Sequence, residues 1–255
     1  MRPLLLSLAL AALGCAAGPQ EDSAAPAAGV TLSEVVYRSR FVTEGLTPGE
    51  KGGWSVDTAA GYHVEVDRAW AVTWSLQLVA CSVNQQAGGW SLLGSGVAWA
   101  SHGDDSDPSI LPAPVAEDLA APAPSTLGSA RFPAARYCEV HALLARSLTE
   151  TLHLPETPDL FGTSLYVEGR WSVGGGAPVP FVVQTSLNYG ALSDLDAAIV
   201  RGSGGHAAVT WTRDLSTWMD GVAFADLDED ALARALVANL VQQATVSVTL
   251  EEIAP

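Results

Sequence analysis

Histidine and carboxylate side chains are the groups in this sequence whose types and spacing best suit chemistry, and that chemistry is metal binding. The chain has 5 histidines and 28 acidic residues. His63 and Glu65 are two positions apart in an alternating segment, so on a strand both side chains point to the same face. An imidazole nitrogen and a carboxylate oxygen in that arrangement suit copper or zinc.

Further candidate ligands lie elsewhere in the chain. His102 opens a segment in which Asp104 follows two residues later, so a loop there can turn both groups toward one cation. His141 lies on a predicted strand. The sequence therefore predicts a copper or zinc site drawn from His63, Glu65, His102, Asp104 and His141. The alternative is that each histidine is a hydrogen-bonded surface or edge residue.

Motifs typical of enzyme active sites do not occur in the sequence. It has no Gly-x-Ser-x-Gly elbow, no phosphate-binding glycine loop and no His-Glu-x-x-His. The segment from Asp226 starts like a calcium-binding EF-hand loop, but Ala231 stands where that loop needs glycine and Val237 where it needs glutamate. We therefore expect a non-catalytic protein, and an unrecognised hydrolase is the open alternative.

Charge and aromatic content bear on the partners. The formal net charge is −16, which repels phosphate backbones and disfavours nucleic-acid binding. The chain has 8 tryptophans, and exposed indoles can stack on sugar rings. Trp54, Trp90 and Trp99 lie in loop-like contexts and are expected to be accessible, whereas Trp70 and Trp74 alternate with aliphatic residues and are expected in the core. The partner is then an envelope protein or a glycan.

The N-terminus has the features of an export signal. A positive Arg2 precedes an almost wholly apolar stretch over residues 3–13, which is too short for a helix that spans a bilayer. The sequence Ala12-Leu13-Gly14-Cys15 that ends it resembles the lipid-attachment site of bacterial lipoproteins. The resemblance implies that residues 1–14 are a signal peptide and that Cys15 becomes the acylated first residue. Position 16 is alanine and not the aspartate that often retains such lipoproteins at the inner membrane, so we expect an anchor in the outer membrane.

Composition then divides the remaining chain. Residues 15–29 after the signal carry no bulky apolar side chain and cannot offset the entropy of ordering, so they are predicted to be a lipidated cysteine with a flexible tether. Residues 30–255 are long enough for one sizeable core. The predicted organisation is therefore signal, tether and a single domain.

Two cysteines remain once Cys15 is assigned to lipid. Cys81 and Cys138 are then an even pair in an oxidising compartment, where a disulfide persists. Such a bridge closes a loop of about 58 residues, for which chain entropy predicts roughly 4 kcal/mol. The alternative is a thiolate metal site or a redox pair, for which the local Cys-x-x-Cys spacing is missing.

Period-two alternation dominates the region after the tether. It predicts about eight strands, at residues 31–42, 62–67, 70–80, 136–145, 164–173, 180–187, 207–212 and 244–253. Leu232, Leu236 and Leu240 predict one helix near the C-terminus, with Asp226 and Glu229 at capping-box spacing. The proline-rich residues 101–128 are expected to be a long loop. The fold class is mainly β, an antiparallel sandwich with one C-terminal helix.

Three short sequences in this region also resemble a family. Gly61-Tyr62-His63-Val64, Ala135-Arg136-Tyr137-Cys138 and Trp218-Met219-Asp220-Gly221-Val222 are similar to uncharacterised β-rich lipoproteins of Gram-negative bacteria. The resemblance implies a lipid-anchored envelope protein. The prediction is an outer-membrane-anchored, non-catalytic binding or interaction module, with a periplasmic copper- or zinc-binding protein as the alternative.

Overall fold

Strands make up most of the chain that the structure describes. The structure is a computed structural model, and it describes residues 32–49, 52–81, 111–133, 136–200 and 206–251. In these ranges the elements are β1 (Leu32–Val42), β2 (Thr47–Pro48), β3 (Trp54–Asp57), β4 (Tyr62–Ala80), β5 (Val115–Asp118), β6 (Ser125–Pro133), β7 (Arg136–Leu144), β8 (Leu165–Val173), β9 (Val179–Thr185), β10 (Tyr189–Val200), β11 (His206–Asp214), α1 (Glu229–Gln242) and β12 (Thr245–Glu251). The prediction of a mainly β fold with one helix near the C-terminus is confirmed.

The strands differ from the prediction in number and continuity. The two segments expected at residues 62–67 and 70–80 are one strand of 19 residues, β4. Twelve strands occur in the described ranges in place of about eight. The expected long loop at 101–128 was wrong where β5 and the start of β6 lie. Val115 and Ala116 are buried in β5, so their burial outweighs the turn preference of the prolines around them.

Two sheets organise these strands. One has four strands in the order β12, β11, β1, β6, and its β1–β11 pair is parallel while its other pairs are antiparallel. The second has eight strands, centred on β4. The first half of β4 pairs with β3 and β8, and the second half pairs with β5 and β7. One long strand therefore carries four neighbours, which places β5 beside its midpoint.

The core is built from both sheets. Buried apolar residues of β1 and β11 belong to the same cluster as those of β4, β7 and β8. Along β4 the burial is two-sided, because the adjacent residues Ala71 and Val72 point to opposite faces and are both buried. Trp70 and Trp74 are only partly buried, so the expectation that they are core residues was wrong. The indole rings of Trp70 and Trp74 therefore lie where β4 is only partly covered by the rest of the fold.

The prediction that Trp54 is accessible was also wrong. Trp54 is buried, its indole N–H donates to the carbonyl oxygen of Leu119 over 2.7 Å, and its ring packs on Trp218. A buried indole needs such a partner for its N–H. Trp90 and Trp99 lie outside the described residues.

The helix forms where the leucine period predicts it. Leu232, Leu236 and Leu240 are buried on one side of α1. Asp228 is the N-cap, and its Oδ1 accepts a hydrogen bond from the backbone N–H of Ala231 over 2.8 Å. The cap is thus Asp228 and not Asp226, and the acidic run belongs to a helix start. Within the described residues, no helix has the length and apolar character to cross a bilayer.

Cys81 and Cys138 form the predicted disulfide, with their Cα atoms 5.0 Å apart. Cys81 follows the last residue of β4, and Cys138 lies in β7, whose neighbouring residue Tyr137 pairs with Ala80. The bridge therefore ties together two strands that already pair. It closes the long connection that contains β5 and β6.

The oxidised protein is expected to show no free thiol at Cys81 or Cys138 in alkylation mass spectrometry. The double variant Cys81→Ala/Cys138→Ala should unfold about 2–5 kcal/mol more easily in denaturant titrations, because the unfolded chain loses the constraint of a long loop. Labelling of both thiols without prior reduction would contradict the bridge.

Candidate functional site

A buried ion pair joins the two sheets. Nη2 of Arg213 in β11 lies 2.6 Å from Oε2 of Glu117 in β5, and the two residues are 1% and 5% exposed. The same Nη2 donates to the hydroxyl of Ser39 in β1 over 2.6 Å, and the hydroxyl of Thr73 in β4 donates to Oε2 of Glu117 over 2.5 Å. The guanidinium is therefore shared between a strand of its own sheet and the opposite sheet.

Strand alternation explains why this arginine points inward. In β11 the buried residues Val209 and Trp211 alternate with the less buried Thr210 and Thr212, and Arg213 is the next position on the buried side. The carbon at the centre of its guanidinium lies 4.2 Å from the ring centre of Trp211 and 4.5 Å from that of Phe41. Aromatic faces of this kind attract a desolvated cation.

The ion pair leaves several polar atoms without a partner. Oε1 of Glu117, and Nε and Nη1 of Arg213, are buried and make no hydrogen bond in the described part of the chain. Most buried polar atoms in proteins have at least one partner, and an unmet carboxylate oxygen costs about 1–3 kcal/mol or more. The carboxylate therefore retains acceptor capacity that the fold itself does not use.

A cleft of about 240 Å³ lies beside this carboxylate. Its described walls combine three chemical types, namely aromatic rings, small apolar side chains and polar groups. They are Phe41, Trp70, Val115, Ala116, Glu117, Asp118, Ala121, Ala123, Ser125 and His153. The volume is just below the range of drug-sized pockets, which suits a small molecule. We name this site the β5 cleft.

Short-range hydrogen bonds hold the rim of the β5 cleft. Oδ1 of Asp118 accepts from the backbone N–H groups of Ala120 and Ala121 over 2.9 and 3.0 Å, which fixes the turn after β5. On the other side, Leu152 exchanges backbone hydrogen bonds of 2.9 Å with Pro114 and Ala116. This contact brings the next residue, His153, to the cleft.

His153 has an unusual backbone conformation. Its φ is +61°, in the left-handed region that side chains with a Cβ seldom adopt. Such a conformation costs on the order of 1–2 kcal/mol and occurs often at binding sites. The chain accepts this strain at a residue that lines the cleft.

Trp70 is supported from behind by a polar chain. Its ring packs against Tyr166, with the ring centres 6.0 Å apart, and the Tyr166 hydroxyl donates to Oε2 of Glu168 over 2.7 Å. Burial, followed by that hydrogen bond, raises the pKa of Tyr166, and the same bond lowers the pKa of Glu168. Arg68 completes the chain at 2.7 Å from the same carboxylate oxygen. The indole is thus held in place on its inner side.

The predicted metal ligands are only partly brought together. Nε2 of His63 lies 4.0 Å from Oε1 of Glu65, as their shared strand face predicts. Nδ1 of His63 is 2.7 Å from Asp57, while the other oxygen of Glu65 binds Arg170 over 2.6 Å. These groups therefore form a row of surface ion pairs. In the part of the chain that the structure describes, no three His, Cys, Asp or Glu side chains are arranged to hold a metal.

His141 lies far from that row. It pairs with Gln77 of β4, and the path along β4 back to His63 is roughly 45 Å at about 3.3 Å per residue. Burial lowers the pKa of His141, because the charged imidazole is desolvated. His102, Asp104 and Cys15 lie outside the described residues. The copper or zinc site and the lipidation stay predictions.

Comparison of this chain with protein families, with curated proteins and with solved structures found no match.

The residues of the β5 cleft were missed by the sequence analysis. Glu117 and Asp118 lie in the stretch that its prolines marked as a loop. Arg213 did carry a signal, since it continues the inward alternation of Val209 and Trp211, and a charge in that position requires a buried partner. The identity of that partner, 96 residues away, had no local signal.

Arg213→Met should lower the free energy of unfolding by about 3–5 kcal/mol in denaturant titrations, because it leaves the Glu117 carboxylate buried and unpaired. Adding Glu117→Leu to that variant should recover much of the loss, since both charges are then gone. Arg170→Met is the matched control: its pair with Glu65 has the same 2.6 Å separation but is well exposed to solvent, so it should cost less than about 1 kcal/mol. Equal losses for Arg213→Met and Arg170→Met would contradict the assignment.

Proposed function

We propose that this protein is a non-catalytic binding module of the cell envelope, anchored in the outer membrane through lipid on Cys15, and that the β5 cleft is where it binds its partner molecule. The observation that carries the binding role is the lining of this cleft, in which Trp70 and small apolar side chains lie beside the polar residues Glu117, Asp118 and His153. Binding sites commonly combine apolar walls with a few such polar groups.

The surroundings of Glu117 favour binding to a rigid site. Its Oε2 is held by Arg213 and Thr73, which fixes the orientation of the carboxylate. Trp70 is supported by Tyr166, and the rim turn is closed by Asp118. A ligand then meets preorganised groups and loses little free energy in ordering them.

The anchor supplies location rather than ligand contacts. The net charge of −16 opposes adhesion to anionic lipid, so membrane attachment depends on the acyl group at Cys15. The apolar-poor residues 16–29 would let the β-rich part reach molecules near the membrane.

In a Gram-negative host, the protein should incorporate radiolabelled fatty acid and fractionate with the outer membrane. Cys15→Ser should abolish the label, because the acylated thiol is gone. Ala16→Asp is the matched control and should keep the label while moving the protein to the inner membrane. Fatty-acid label that persists in Cys15→Ser would contradict the anchor.

A hydrolase is the second candidate, and one observation favours it. Ser125, His153 and Asp118 all line the β5 cleft, and these are the residue types of an acyl-transfer triad. The Ser125 hydroxyl makes no hydrogen bond in the described part of the chain, and Oδ1 of Asp118 is engaged by the backbone. A nucleophile needs a base within hydrogen-bond reach. The geometry supports binding better than hydrolysis.

Wild-type protein and Ser125→Ala should therefore give the same background rates with nitrophenyl ester and peptide substrates, because Ser125 is not paired with a base. The measurement is the initial rate of release of nitrophenolate or amine. Saturable turnover in the wild type that disappears in Ser125→Ala would replace the binding function with the hydrolase.

A further inference from the structure

We infer that β9 is a docking edge for a second copy of this chain, and that two copies pair their β9 strands antiparallel across a two-fold axis. This surface is separate from the β5 cleft. Four features of β9 support the inference: its open side, the direction of its backbone groups, its lack of charge and its exposed apolar side chains.

The strand β9 lies at an edge of the larger sheet. Its residues Val179–Thr185 pair with β8 on one side, and within the described residues no strand pairs with the other side. The helix α1 contacts β9, but it also contacts β7 and β10, so it lies under the inner face of the sheet and not beside this edge. An unpaired edge offers its N–H and C=O groups to another strand.

The direction of the backbone groups identifies the residues that face the open side. The carbonyl oxygen of Thr185 accepts from the N–H of Ser164, next to the start of β8, over 2.7 Å. Backbone groups alternate in direction along a strand, so those of Gln184, Val182 and Pro180 face away from β8. A proline in an edge strand takes such a position, because it has no N–H to give to the ladder.

The edge carries no charge that would block pairing. Residues 171–193 contain no acidic, basic or histidine side chain. Glu168 lies opposite Val182 on β8, and its carboxylate is compensated by Arg68 at 2.7 Å. Natural proteins commonly protect free edges with charged side chains, lysine above all. Two copies that each carry −16 repel one another, and this edge lets them touch without bringing like charges together.

The side chains of β9 fit a second copy of the same strand. Val182 is 52% exposed and Val179 is 42% exposed. Pro180 cannot donate, and its ring crowds a facing carbonyl, so the new ladder ends before it. An axis through Val183 leaves Pro180 outside the ladder and places Val182 opposite Gln184 of the second copy. In each copy these two residues then donate and accept one backbone hydrogen bond each.

The size of this contact predicts a weak dimer. A ladder of about five residues buries less surface than a standard interface, so association depends on concentration. The test measures sedimentation of full-length Cys15→Ser protein, which has no lipid and no free thiol at that position, from about 10 μM to about 1 mM. We expect a reversible dimer with a Kd below about 1 mM. It should tighten as sodium chloride rises from about 50 to about 500 mM, because salt screens the repulsion between two acidic copies.

Substitutions connect the dimer to the edge. Val182→Lys should weaken association at least about fivefold, because lysine on an edge strand opposes pairing. Leu192→Lys is the matched control, since Leu192 is 54% exposed, lies on β10 and receives the same change of charge. It should leave the Kd within about twofold. Thermal unfolding of both variants verifies that they are folded.

Cysteine cross-linking tests the register. Opposed residues that exchange hydrogen bonds have Cα atoms about 5.5 Å apart, which a disulfide can span. A mixture of Val182→Cys and Gln184→Cys proteins should form a disulfide-linked dimer under mild oxidation. A mixture of Val182→Cys and Leu192→Cys is the control and should not.

Each outcome decides something. A dimer that Val182→Lys weakens and Leu192→Lys does not, with cross-linking in the first mixture alone, would support the inference. A monomer at about 1 mM, equal weakening by both lysine variants or no cross-link in the first mixture would overturn it. A monomer whose Val182 and Gln184 amide signals in NMR spectra shift with a peptide of alternating threonine and valine would assign the edge to a different chain and overturn the second copy.

Discussion

The buried pair of Arg213 and Glu117 is the constraint around which the two sheets are arranged. Two desolvated charges cost several kcal/mol each, and only close pairing with further hydrogen bonds compensates for that cost. Arg213 obtains them from Glu117 and Ser39, and Thr73 adds a bond to the carboxylate. These four residues lie on β11, β5, β1 and β4, so the pair is satisfied only when both sheets are assembled in one register.

The long strand β4 explains why this pair borders a cleft. Its halves pair with different partners, and the short strand β5 attaches near the point of change, at Trp70 to Thr73. The inner side of β5 sends Glu117 toward Arg213, while Asp118 at its end closes the next turn. A strand of four residues covers β4 incompletely, so Trp70 remains partly accessible. The charged contact and the aromatic wall of the site both follow from the position of β5.

Local patterns were sufficient to predict most elements and insufficient to predict the site. Alternation predicts a strand wherever one face is buried, and the leucine period predicts α1, because both are properties of neighbouring residues. The Cys81–Cys138 bridge followed from counting cysteines. Glu117 had no such signal, since prolines around β5 indicate a loop and only pairing with β4 makes it a strand. The two charges of the pair are 96 residues apart, so their contact depends on the packing of two sheets. The surface contact between His63 and Glu65 could be predicted, because both residues lie on one strand and their spacing alone brings them together.

Solvent protection of the Arg213 guanidinium tests this account most directly. In protein labelled with nitrogen-15, the side-chain N–H signals of Arg213 are assigned by their loss in Arg213→Lys, and their exchange with water is measured beside those of Arg170. The buried pair predicts separate Nη proton signals for Arg213 that exchange slowly, while the Nη protons of Arg170, whose side chain is 42% exposed, are averaged and exchange fast. Fast, averaged exchange at Arg213 would show that the guanidinium is not held between the sheets, and the account of the cleft would be wrong.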